Sequence, residues 1–231
     1  MLRTPLSLAL HFKGYIVISE WDDYIFARTS GIKVKWKPVL AERLKYISGL
    51  EDQKKKDYLL NLCHYYFDLD KTEIPIQHPE IWNSILEVWK EELSWDDEKY
   101  LFWIVKALSF SGGSFKNAYL LLNKDSSDIL RRIIELNPDH FEAKKLLFKD
   151  NLYVLDFAMH SIDSGMLINR DAGVEAITES EALLAGEPRL KSITSTFGGS
   201  LEYYKNRFLA WYEFKKEDTD LDFDDWYEQK M

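Results

Sequence analysis

The sequence predicts a mainly α protein: a multi-helix antiparallel stack, solenoid-like, with a small β element at the N-terminus. Three observations carry that expectation. Apolar residues recur at helical spacing through most of residues 39–217. The connections between those runs are a few residues long, which favours antiparallel neighbours in a helical array. β-rich runs occur within residues 15–37 and do not recur at the spacing that a βαβ fold requires.

Within residues 15–37, Tyr15-Ile16-Val17-Ile18 and Tyr24-Ile25-Phe26-Ala27 are rich in β-formers. Ile32, Val34 and Trp36 alternate with Lys33, Lys35 and Lys37, the period of a half-buried strand. Ser30-Gly31 supplies a turn and Pro38 ends the run. A helix is expected over about 38–48, stopped by Gly49. A second covers about 51–67, with Tyr58, Leu59, Leu62, Tyr65 and Tyr66 on its apolar face. Pro75 and Pro79 forbid a continuous helix through 70–79. Pro79 itself suits a first turn, where its missing N–H has no partner, and the helix it opens buries Trp82, Leu86 and Trp89.

Ser94 is expected to cap the fourth helix, with Asp97 three residues on, close to a capping box; Leu101, Ile104, Val105 and Leu108 form its stripe. Gly112-Gly113 breaks it and Ser114 opens the next, which carries Tyr119, Leu121 and Leu122. Helices are then expected at about 126–136, 138–148, 151–162, 171–185, 187–195 and 200–217. The domain reading is a β element over 1–38 packed on a helical domain over 39–217, followed by an acidic aromatic tail over 218–231.

Composition narrows the class. The 231 residues are 46% hydrophobic and 15% aromatic, which excludes a disordered chain. A single cysteine excludes an intramolecular disulfide framework and Cys-rich zinc modules. No apolar run approaches the ~18 residues of a membrane span. Leu6, Leu8, Ala9 and Leu10 are interrupted by Ser7 and bounded by Pro5 and His11, so no signal peptide is expected, and a reducing cytoplasm is the default location.

Charge is uneven. Residues 1–70 carry 11 basic and 9 acidic side chains; the remainder carries 19 and 30, giving a net −9. A nucleic-acid binder shows a basic stripe, and here the balance is the opposite. Lys54-Lys55-Lys56 lies among Glu51, Asp52 and Asp57 and reads as a solvated face. The acidic surface suits solubility, or a basic partner drawn in by electrostatic steering.

Chemistry-bearing motifs are few. GxSxG, Walker, GxGxxG and HExxH patterns are absent, so no enzyme is expected, and no cofactor. Cys63 and His64 are adjacent on a helix and point about 100° apart; Cys63 reads as a buried filler. Asp156, His160 and Asp163 share a face that a metal-dependent hydrolase would need, without the further ligands that complete a site. The run Asp218-x-Asp220-x-Asp222-x-Asp224 lacks the glycine and glutamate of a calcium loop; counted from Asp218, Phe223 and Gln229 stand there. Gly112-Gly113-Ser114 and Gly198-Gly199-Ser200 read as helix stops followed by serine N-caps.

Tryptophan beside paired acids is the recurring feature: Trp21-Asp22-Asp23, Trp95-Asp96-Asp97 and Asp224-Asp225-Trp226. A rigid aromatic flanked by carboxylates can anchor a basic protein surface. Equally, each aspartate pair can cap a helix or turn while the tryptophan enters the core. The candidate partner-binding residues are Trp95, Asp96, Asp97 and Glu98, with Asp222, Asp224, Asp225 and Trp226.

Two resemblances follow from these residues. Ile133-Ile134-Glu135-Leu136-Asn137-Pro138-Asp139-His140-Phe141-Glu142-Ala143 resembles the helix junction of a tetratricopeptide repeat. The rest of the 34-residue pattern is absent: its small-residue positions fall on Ser126 and Ile133, its aromatic position on Asn117 and its tryptophan position on Lys144. The acidic, aromatic-rich, motif-free profile resembles the immunity proteins that bacteria make against toxins. That resemblance implies a protein partner, a basic toxin domain, with neither nucleic acid nor membrane among the partners. The alternative is a tetratricopeptide-like adaptor or chaperone that holds peptide segments.

Overall fold

The computed structural model describes residues 17–92, 94–109, 115, 122–162, 165–196 and 199–230. The described residues are mainly helical and contain no strand. The chain divides into two compact units, Met1–Lys124 and Asp125–Met231.

In the first unit, α1 (Val17–Thr29) and α2 (Lys33–Ser48) form a helical hairpin. This corrects the β element. Tyr15 and Ile16 lie outside the described residues, but the runs at 17–18, 24–27 and 33–37 are helical. The reason is spacing over a longer window. Trp21 and Tyr24 are three apart and buried together, and Trp36, Leu40 and Ile47 recur on the inner side of α2. Tyr24 meets Trp36 edge-on at 6.2 Å. Pro38 therefore lies inside a helix rather than ending a strand. Its ring withholds one backbone donor at an exposed position, where water can take its place. Gly31, at φ +70°, supplies the left-handed turn between the helices.

Helix α3 (Asp52–Cys63) runs into a π turn, His64–Asp68. The wider turn is closed by Leu69 N–H donating to the His64 carbonyl at 3.2 Å. It carries Tyr65, Tyr66 and Phe67 into the core. The indole Nε1 of Trp21 donates to the Tyr58 hydroxyl at 3.0 Å, fixing α1 on α3. Helix α4 (Pro79–Glu92) begins at the expected proline and buries Ile81, Trp82, Ile85, Leu86, Val88 and Trp89. Helix α5 (Glu98–Ser109) adds Leu101, Trp103, Ile104 and Val105. Trp82 meets Phe115 edge-on at 4.5 Å, while Trp89 and Trp103 stack at 6.4 Å. Such pairs add about 0.5–1.5 kcal/mol each beyond burial. Cys63 is fully buried, and burial pushes its thiol well above the usual range.

In the second unit, α6 (Ser126–Leu136) and α7 (Phe141–Met159) are joined by the turn Asn137–His140. Asn137 Oδ1 accepts from Asp139 N–H, and His140 Nδ1 accepts from Ala143 N–H as the N-cap of α7. The two helices expected at 138–148 and 151–162 are one, because no glycine or proline interrupts them. Helix α8 (Arg170–Gly186), a 3₁₀ segment (Pro188–Thr196) and α9 (Leu201–Phe214) follow. Ser200 caps α9 as expected, accepting from Tyr203 N–H at 3.1 Å. Phe148, Leu152 and Leu155 of α7 pack with Ile177, Leu190, Tyr204 and Phe208. The acidic tail ends in α10 (Phe223–Lys230), which packs on α9. Other expectations fall outside the described residues: Gly112-Gly113-Ser114 and the helix it opens apart from Phe115 and Leu122, Asp163, and Gly198.

Candidate partner-binding surface

The corner between α4 and α5 gathers the first set of predicted residues. Ser94 Oγ accepts from Asp96 N–H at 3.1 Å, making a tight turn. Asp97 Oδ1 accepts from both Lys99 N–H, at 3.0 Å, and Tyr100 N–H, at 3.2 Å. Asp97, not Ser94, is therefore the cap of α5; Ser94 lies too far back to reach the first free amides. Glu98 stands in the first turn, where the helix dipole favours a carboxylate. Trp95 is half-buried at the centre of the turn and Asp96 is exposed.

Sequence reasoning missed part of this surface. Glu87 and Glu91 are exposed one helical turn apart on α4, and Glu92 ends the helix in an ion pair with Lys56. Residues 87–98 thus hold six carboxylates, Glu87, Glu91, Glu92, Asp96, Asp97 and Glu98, against Lys90 alone. The four-residue spacing of Glu87 and Glu91 opposite the buried Ile85, Trp82 and Trp89 was the signal available. The local field reaches Tyr100, whose hydroxyl is pushed up to about 12, first by burial and then by Glu92 and Asp97.

Beside this corner, Asp68 accepts from Trp103 Nε1 and from His64 Nδ1, both at 2.7 Å. A carboxylate only accepts, so His64 Nδ1 carries the hydrogen. The pair is occupied in tying the π turn to α5, and the adjacent Cys63 is fully buried in the core.

The second set of predicted residues is organised differently. Trp226 is only 6% exposed and joins Phe223 and Ile162 in a small core. Its Nε1 donates to Glu217 Oε2 at 2.8 Å, and Lys230 Nζ pairs with the other oxygen at 3.0 Å. Those two contacts, in that order, hold the Glu217 carboxyl below its ordinary range. Asp222 Oδ1 accepts from Asp225 N–H at 2.8 Å as the cap of α10. Asp224 pairs with Arg207, whose guanidinium also faces the Phe223 and Tyr227 rings. Asp225 is exposed. Trp21, in the first of the three runs, is fully buried.

Among the described residues no group of three or more His, Cys, Asp and Glu side chains could hold a metal ion. Asp156 accepts from the Tyr204 hydroxyl at 2.9 Å, and His160 is the C-cap of α7. A further concavity, of about 430 Å³, lies between α6, α7 and α8. Ile134, Pro138, Leu147, Ala182 and Leu183 line it, with Arg131 and Lys144 among its polar residues. Glu179 holds Arg131 Nε at 2.7 Å and Nη2 at 3.1 Å, and accepts from the buried Asn151 at 2.8 Å. Among the described residues no helix is long and apolar enough to cross a membrane. No family model, no curated protein and no solved structure matches the chain.

Proposed function

We propose that the chain is a non-catalytic, cytoplasmic protein-binding protein whose acidic α4–α5 corner takes a basic protein partner, an immunity protein for a toxin domain being the form it best suits. One observation carries the reading: six carboxylates lie within residues 87–98, the stretch that holds the half-buried Trp95. A surplus of carboxylates, here beside Lys55 and Lys56 in the groove that Glu87 and Glu91 line, speeds the encounter with a basic surface, by about 10- to 1000-fold in such systems, and loses that effect as salt rises. A partly exposed tryptophan at the centre gives the contact an apolar anchor. The second predicted set contributes less, because Trp226 is buried and Asp222 is held as a cap.

The test has two steps. The tagged chain is used to capture partners from its source cells at low and moderate salt, and a captured protein is then purified. Its association rate is measured with the wild-type chain and with the triple variant Glu87→Lys, Glu91→Lys, Asp96→Lys. The expected result is a basic protein whose association slows at least tenfold in the variant and with rising salt. Equal rates for both chains would sink the proposal.

A second reading rests on the concavity between α6, α7 and α8. Here the chain would be an adaptor whose solenoid-like antiparallel helices hold an apolar peptide segment against Ile134, Pro138 and Leu183. Weak capture of heterogeneous peptides, lost in Leu183→Glu, would favour it.

A further inference from the structure

The tip of the α1–α2 hairpin combines two features that occur together nowhere else among the described residues. Residues 24–37 contain Arg28, Lys33, Lys35 and Lys37 and no acidic residue, in a chain of net charge −9. The same stretch holds the two most exposed large apolar side chains among the described residues, Phe26 at 81% and Val34 at 76%, with Ile32 at 46%. Largely solvated phenylalanine and valine are costly to leave in water, at roughly 25 cal/mol for each Å² of apolar surface. All four cationic residues are exposed, and Arg28 lies over the half-buried Trp36 ring at 4.6 Å.

We infer that this tip docks on the headgroup region of an anionic lipid bilayer. Charge complementarity selects an anionic surface, and the exposed apolar side chains select one with hydrocarbon beneath the charge. A nucleic acid would take the lysines and leave Phe26 and Val34 in water; a bilayer accepts both. That no helix among the described residues is long and apolar enough to cross a membrane bears on insertion, while this contact is peripheral. It differs from the expectation that no membrane stands among the partners, which rested on span length. The rest of the chain is acidic and repels the same surface. At physiological ionic strength, however, the Debye length of about 8 Å lets the tip act locally.

The full chain is sedimented with vesicles of phosphatidylcholine alone and of phosphatidylcholine with phosphatidylserine, at physiological and molar salt. Binding is expected to the phosphatidylserine vesicles at physiological salt only. The variant Lys33→Gln, Lys35→Gln, Lys37→Gln should bind about a hundredfold more weakly, at roughly fivefold per lysine. Phe26→Ser with Val34→Ser should lose at least tenfold while the helical circular dichroism and melting stay unchanged, since both positions are exposed. No partition into phosphatidylserine vesicles overturns the inference. So does binding that survives the serine variant, or equal binding of wild type and serine variant to RNA in place of vesicles, because charge alone would then explain the contact.

Discussion

Trp226 separates a core residue from a surface anchor, and its truncation tests the distinction. Its ring stacks with Phe223 at 6.2 Å and lies 5.5 Å from Phe214, and its indole N–H is held by Glu217. Trp→Ala at such a position costs about 3–5 kcal/mol in a core. Helix α10 has eight residues, too few to persist in water without packing. The loss should therefore appear as undocking of α10 rather than as global unfolding, because the main cluster around Phe148 and Phe208 shares no buried residue with the cluster that holds Trp226, the two meeting at the partly buried Met159 and Met166. A change of about 3 kcal/mol is more than a hundredfold in the opening equilibrium. Hydrogen exchange of the amides of residues 223–230 in Trp226→Ala should accelerate by at least that factor, with little change in melting of the rest. Unchanged protection of α10 would refute the reasoning, and unchanged protection together with lost partner binding would return Trp226 to the surface. The same contact sets a pH response. Glu217 is held below its ordinary value, so its contribution is present above about pH 4.5 and is lost as pH falls through the lowered value. Wild-type α10 should lose protection in that acid window, and Glu217→Gln should lose the dependence.

Two further outcomes test the second unit. A Cβ on Gly173 would stand 1.9 Å from Cζ of Phe208, a fully buried ring, so Gly173→Ala should destabilise by up to about 2 kcal/mol in urea unfolding, the overpacking outweighing a helix-propensity gain of roughly 1 kcal/mol; in a Phe208→Leu background the same change should be neutral or stabilising. Burial, followed by Asp156, pushes the Tyr204 hydroxyl up to about 12, so its contribution is complete below pH 10 and declines as pH rises through that value; Tyr204→Phe should cost about 1 kcal/mol near neutrality and remove its share of the alkaline loss.

Where a long window of spacing existed, the sequence was sufficient. Pro79 opening α4, the burial of Trp82, Leu86 and Trp89, and Ser200 capping α9 all follow from local chemistry that packing did not override. The β reading of 24–37 failed because alternation over six residues is too short to define a period. Ile32, Val34 and Trp36 alternate, yet only Trp36 belongs to the inner face that Leu40 and Ile47 continue. Pro38 strengthened the error, since a terminating proline and one tolerated on an exposed helical face look alike in sequence.

The candidate surface was harder to read for a different reason. A carboxylate that caps a helix and one that meets a partner are the same residue type in the same place, just before an apolar run. Asp97 and Asp222 do the first, and their amide contacts are visible only once the helix starts are fixed. For the tryptophans, neighbouring apolar spacing separates the cases. Trp226 follows Phe223 by three residues and precedes Tyr227, a helical stripe that predicts burial, and Phe223 and Trp226 are indeed buried. Trp95 has no such companion within its turn and stays half-buried. The paired acids were thus the weaker part of the motif. The acids that distinguish the α4–α5 corner are Glu87 and Glu91, which cap nothing and repeat at the spacing of an exposed helical face. Their position opposite a buried tryptophan stripe is a surface property that packing does not require. Charge reversal there is accordingly the change that separates partner binding from stability.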